Sequence, residues 1–149
     1  RRQRQMCIRD RYNYVGRPDK TAEVVRKTLK ERYNTTKEGI PGNDDSGSMS
    51  SWYVFHALGF YPNTGQDLYL ISSPTFEEAV IHLENGRDLS IKAKKASDKN
   101  IYVQSVKLNG EPLDACSFKH TDIANGGTLE FVMGSKPSKW GTVGVENQL

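Results

Sequence analysis

Between Ser48 and Leu58 the chain reads SMSSWYVFHAL, and Met49, Trp52, Tyr53, Val54, Phe55, Ala57 and Leu58 leave it almost no polar face. A helix apolar nearly all round has to be enclosed by neighbours. Gly59 suits a left-handed cap, and Pro62 forbids continuation. On the other side, Pro41-Gly42 marks a turn, and the short polar side chains of Asn43, Asp44 and Asp45 hydrogen-bond nearby backbone instead of extending a helix. Asp44 and Asp45 therefore fall at or just before a helix N-terminus, where unpaired N–H groups and the helix dipole favour negative charge.

Two uses of such carboxylates compete. One caps the helix while the other sits in a solvated turn, a common role for aspartate; or one is held ready to accept a proton from water, as a general base must. A calcium-binding EF-hand loop is a weaker reading still, because the required glycine and the terminal glutamate do not fall at the right offsets.

Upstream, residues 12–18 form a loop, and Asp19 is expected to cap a helix from about Lys20 to Tyr33. Ala22, Val25, Leu29 and Tyr33 recur at helical spacing, so one stripe is buried while the lysines, arginines and Glu31 stay wet. Downstream of Pro62 the period changes to two. Strands are predicted over 67–72, 76–83, 89–93, 102–108 and 128–132, with Asn85-Gly86 and Asn109-Gly110 as type I′ hairpin turns and Gly126-Gly127 as a further turn. The fold class is α+β: a helical hairpin followed by an antiparallel sheet or sandwich.

The run GIPGNDDSGSMSSWYVFHALGFYP closely resembles the signature of glycoside hydrolase family 92, the calcium-dependent exo-α-mannosidases. Tyr12-Asn13-Tyr14 with Gly16 and Pro18 agrees upstream, as do SSPTFEEAVIHLENGRDLSIKA, IYVQSVKLNGEPL and HTDIANGGTLEFVMG downstream, so the likeness spans roughly residues 12–140. The resemblance implies an inverting mechanism whose general base lies on this loop, in a pattern of acidic residue, any residue, aspartate. Asp45 takes the final position, with Asp44 as the second candidate. Asn43 stands where some members have Asp; an amide cannot be the base, but it can orient water or a sugar hydroxyl. Ser46 stands where many members have Cys. Trp52, near the loop, either lines the sugar site or packs in the helix interior.

The resemblance further implies a hairpin of an (α/α)6 barrel for residues 12–62, a β-rich C-terminal region for 63–149, and calcium whose ligands lie mostly upstream of this chain. It also implies secretion or a periplasmic location, and an α-mannosyl oligosaccharide or glycoprotein glycan as substrate. Inversion needs a second carboxyl group roughly 6.5–9.5 Å from the first. Adjacent aspartates do not supply both, so the acid is expected in a missing N-terminal part of the same enzyme, leaving this chain inactive alone. The alternative is a non-catalytic carbohydrate-binding or structural β-module, with Tyr69, Tyr102 and Trp140 as stacking faces. Scattered aromatics in strands more often serve packing.

The remaining features narrow the choice. Residues 1–11, RRQRQMCIRDR, are arginine-rich without apolar periodicity and read as a non-native or disordered terminus. Without them the formal net charge of +3 turns negative, so the basic balance is no argument for nucleic acid. No apolar run is long enough for a membrane span. His56 is expected to pack, His82 and His120 stand isolated, no zinc-ligand spacing occurs, and Cys7 and Cys116 define no disulfide framework. One hairpin cannot close a six-hairpin barrel, so part of the 48–58 helix is expected to be left uncovered by this chain.

Overall fold

In the computed structural model, which describes residues 10–143, a short 3-10 turn at Asp10–Val15 leads into helix α1, Pro18–Arg32. Pro18 itself opens the helix, because its fixed φ suits a helix start and its missing N–H would have had no partner there. Asp19 was expected to cap. Its carboxylate instead accepts from Arg17 Nε (2.9 Å) and a terminal guanidinium nitrogen (2.7 Å), and no side chain caps α1. The buried stripe is Thr21, Ala22, Val25, Thr28 and Leu29, while Tyr33 has already left the helix with extended backbone. Helix α2 runs Ser48–Leu58, as its composition predicts.

Eight strands follow among the described residues. β1 (Phe60–Pro62), β2 (Tyr69–Ile71) and β7 (Ser117–Phe118) form a small antiparallel sheet in the order β1-β2-β7. β3 (Glu78–His82), β4 (Asp88–Lys94), β5 (Tyr102–Leu108), β6 (Glu111–Pro112) and β8 (Gly127–Gly134) form the larger sheet, ordered β3-β4-β8-β5-β6. The expected antiparallel pairing holds except at the centre, where β4 and β8 run parallel. β8 inserts between β4 and β5 after the chain has crossed to the small sheet through β7, and its antiparallel match to β5 leaves it parallel to β4.

Of the two asparagine-glycine turns, Asn109-Gly110 has both residues at positive φ (52° and 87°), as a type I′ turn requires. At Asn85-Gly86 only the glycine is left-handed, with φ 77°. Gly86 N–H donates to Leu83 O (2.9 Å), so this hairpin uses the longer type I turn with a glycine bulge instead of type I′.

Alternate residues of β4 and β8 (Leu89, Ile91, Ala93, Leu129, Phe131, Met133) fill the main core together with Phe60, Leu70, Ile71 and Phe118 from the small sheet, so the two sheets share one interior. A separate, smaller cluster of Val25, Leu29, Met49 and Trp52 joins the helices, with Tyr33 and Tyr61 against it. Asn13 ties the two parts. Fully buried, it donates from Nδ2 to Ile71 O (2.7 Å) and accepts from the Thr21 hydroxyl at Oδ1 (2.8 Å). Residues 1–9, including Cys7 and most of the stretch read as a non-native terminus, lie outside the described residues. Among the described residues no helix is long and apolar enough to cross a membrane.

Candidate functional site

The loop between α1 and α2 is held from within. Asn34 N–H donates to Gly39 O (3.1 Å) and Gly39 N–H to Thr36 O (3.0 Å), folding residues 34–39 back on themselves. The backbones approach so closely here that a Cβ on Gly39 would meet Asn34 O. Tyr33 O–H donates to Met49 O (3.1 Å), tying the exit of α1 to the first turn of α2.

Asp44 is the capping carboxylate of α2. Its Oδ1 accepts from Met49 N–H (3.0 Å) and Ser50 N–H (2.8 Å), and its Oδ2 accepts from the Ser50 hydroxyl (2.7 Å). These donors, the Ser50 hydroxyl foremost and the Ser50 and Met49 amides with it, hold the Asp44 carboxyl below the usual carboxylate range. The carbonyl of the same residue accepts from Ser48 N–H (2.7 Å). Between those two points Asp45, Ser46 and Gly47 all have positive φ (34°, 60° and 82°), so the chain makes one turn of left-handed helix before entering a right-handed one. Left-handed backbone costs a residue with a Cβ about 1–2 kcal/mol, and such conformations cluster where a side chain has to be aimed. Glycine at position 47 carries no such cost.

The turn presents Asp45 to solvent. Asn43, also exposed, stands in the wall of an open groove of about 910 Å³ that runs past Arg32 and the folded-back stretch 34–39. Three of the four residues singled out in the sequence are thus brought together on one loop. The fourth, Trp52, is placed apart from them: it is 2 % exposed, stacked on Tyr33 with ring centres 5.8 Å apart and an interplanar angle of 7°, and tilted against His56 at 4.2 Å. His56 in turn stacks on Tyr61 (4.8 Å, 2°), so Trp52 belongs to an aromatic column inside the molecule.

Ser50 is a residue that the sequence reading missed. An N-cap side chain ordinarily reaches two or three residues ahead, whereas Asp44 reaches five and six. The left-handed turn makes this possible by coiling three residues into a short rise, and nothing in the residue types at 45 and 46 announces it.

The three aromatic side chains considered as stacking faces all have partners within the chain. Trp140 is 9 % exposed and donates from Nε1 to Leu113 O (2.7 Å). Tyr102 is half-buried and donates to Glu23 (3.1 Å), and Tyr69 stacks on Phe118 and meets His120 Nδ1 at 3.0 Å. Cys116 is buried, and burial pushes its thiol up to about 11. Among the described residues no three His, Cys, Asp or Glu side chains gather where they could hold a metal ion.

The family model for the glycosyl hydrolase family 92 catalytic domain matches residues 5–135, starting inside the arginine-rich stretch. The α-mannosidase BT3965 of Bacteroides thetaiotaomicron, solved in complex with mannoimidazole, is 34 % identical and superposes with a TM-score of 0.89 over 95 % of this chain and 19 % of its own. The inverting mannosidase BT2199 of the same organism is also 34 % identical, with a TM-score of 0.84 over 93 % of this chain and 19 % of its own. A protein of Arthroderma benhamiae described as an uncharacterized secreted glycosidase is 40 % identical over 134 residues, covering 88 % of this chain and 17 % of its own. The chain therefore spans about a fifth of the length of the relatives it matches.

Proposed function

Since this chain belongs to glycosyl hydrolase family 92, we propose that it supplies the general-base loop of an inverting exo-α-mannosidase, with Asp45 as the base. The supporting observation is that Asp44, both of whose oxygens accept from donors at the head of α2, anchors the loop, and that Asp45 follows it on an exposed left-handed turn. In the reaction Asp45 accepts a proton from a water molecule that attacks the anomeric carbon from the face opposite the leaving group. Asn43, two residues earlier and in the groove wall, offers an amide to a sugar hydroxyl or to that water.

The acid that protonates the leaving oxygen stands roughly 6.5–9.5 Å from the base in such enzymes. We assign it to a part of the enzyme outside this chain, which by itself is expected to give no turnover. Calcium, if bound, takes ligands from that part also, and would draw on oxygen donors to hold sugar hydroxyls. The substrate class is an α-mannosyl oligosaccharide or glycoprotein glycan, and the location secreted or periplasmic, in keeping with the description of the fungal relative.

The test is Asp45→Asn in the assembled enzyme. Loss of the base is expected to lower kcat by about 10²–10⁴-fold while the melting temperature stays within a degree or two of the parent. Wild-type kcat in that variant would move the base elsewhere. Proton NMR of the first-formed sugar checks the stereochemistry: an α-mannoside hydrolysed with inversion releases β-mannose first.

A further inference from the structure

The same Asp44 that caps α2 also fixes both ends of the turn carrying Asp45. Its carbonyl receives Ser48 N–H at 2.7 Å and the Ser48 hydroxyl at 3.2 Å, closing the turn behind Gly47. Its carboxylate is held against the first turn of α2 by Met49 N–H and Ser50 N–H on one oxygen and the Ser50 hydroxyl on the other. Asp45 is the residue immediately after this double attachment, and its backbone departs at φ 34°. Two backbone donors on Oδ1 alone leave the carboxylate able to swing about that oxygen, and the Ser50 hydroxyl at 2.7 Å on Oδ2 removes the freedom. Ser50 sits on a regular helix whose Trp52 and Met49 are locked in the core, so its own position is set by packing remote from the loop.

We infer that Asp44 and Ser50 form a positioning pair that aims Asp45, with Ser50 acting on the reaction only through Asp44. This rests on the reading of Asp45 as base. Neither residue transfers a proton or touches sugar; the pair fixes where the Asp45 carboxylate stands relative to the attacking water. Displacing a reacting group by about 1 Å costs on the order of 100-fold in rate, so a loosened clamp is felt in kcat before it is felt in binding.

The experiment compares Ser50→Ala, Ser50→Thr and Asp45→Asn in the assembled enzyme, using an aryl α-mannoside and reading kcat, KM and melting temperature. Ser50→Ala is expected to lower kcat about 10- to 100-fold with KM within about twofold of the parent. Ser50→Thr, which keeps the hydroxyl, is expected to restore kcat to within a few-fold. An inactive Asp45→Asn beside a fully active Ser50→Ala overturns the positioning role and leaves the base assignment standing. An active Asp45→Asn overturns the base assignment itself. A rise in KM at unchanged kcat would mean that the clamp contacts substrate, and a fall in melting temperature with no rescue by threonine would mean a merely structural part; either result sinks the inference.

Discussion

At the scale of single residues, Asp44 is the carboxylate that caps α2, and pH tests that role. Asp44 is held below the ordinary carboxylate range by the Ser50 hydroxyl and the two helix amides. Its folded value is thus lower than its unfolded one, so the stability it contributes is fully present above the unfolded value of about 3.9 and drains away as pH falls through the folded value. Asp19 beside Arg17 and Asp98 beside Lys30 are depressed in the same direction and lose their contribution in the same acid window. The Asp44 share is isolated by difference. Urea denaturation of the chain and of its Asp44→Asn variant, followed from pH 7 to pH 3, is expected to show the parent losing more stability below about pH 4 than the variant, whose amide cap does not titrate there. Parallel losses would mean that the cap carries no net charge contribution. That Asp44 is the one that caps α2 was not legible from Asp-Asp in the sequence. The distinction comes from a left-handed turn through Asp45 and Ser46, neither of which is a residue that demands such a backbone.

At the scale of elements, α2 was legible from end to end, because an unbroken apolar run between a polar turn and Gly59 admits few other readings. The start of α1 was misread by two residues, since Pro18 at a helix start competes with the capping signal of Asp19 and is favoured on backbone grounds. Strand β5 matched its predicted bounds, whereas the parallel contact of β4 with β8 had no local signal: it depends on a strand 33 residues beyond β4's last residue in the chain. Gly59 is where helix and sheet meet. It ends α2 at φ 101°, its N–H is shared by Phe55 O and His56 O at 3.1 Å each, and its carbonyl accepts from Ser72 N–H at 2.8 Å. A Cβ added there would lie 2.9 Å from Pro74 Cβ and 3.2 Å from the ring of Phe131. Gly59→Ala is therefore expected to cost more than the roughly 1–2 kcal/mol of left-handed strain alone, because Pro74 is rigid and Phe131 lies in the main core. Chemical denaturation measures this directly. A loss below about 1 kcal/mol would show that the α2–β1 junction relaxes without disturbing the core.

At the scale of the whole molecule, the two interiors differ in completeness. The sheets enclose theirs, while among the described residues the helical cluster is covered on one side only: Met49, Trp52 and His56 face inward, and Tyr53 and Val54 on the opposite side of α2 are 39 % and 52 % exposed. Ile40, 38 % exposed, borders the hollow that Tyr53 and Val54 line, and Phe76, 51 % exposed, shares a second hollow with Tyr53. A helix this apolar is costly to leave half uncovered, and the solved relatives have about five times the length in which to cover it. The consequence separates the chain from the assembled enzyme. Val54→Lys is expected to leave the stability of the isolated 149-residue chain within about 0.5 kcal/mol of the parent, since it alters an exposed position. In the assembled enzyme the same change places a charge against an apolar neighbour and is expected to lower stability by several kcal/mol, read as a fall in melting temperature. Equal, small effects in both contexts would mean that this side of α2 stays in water throughout.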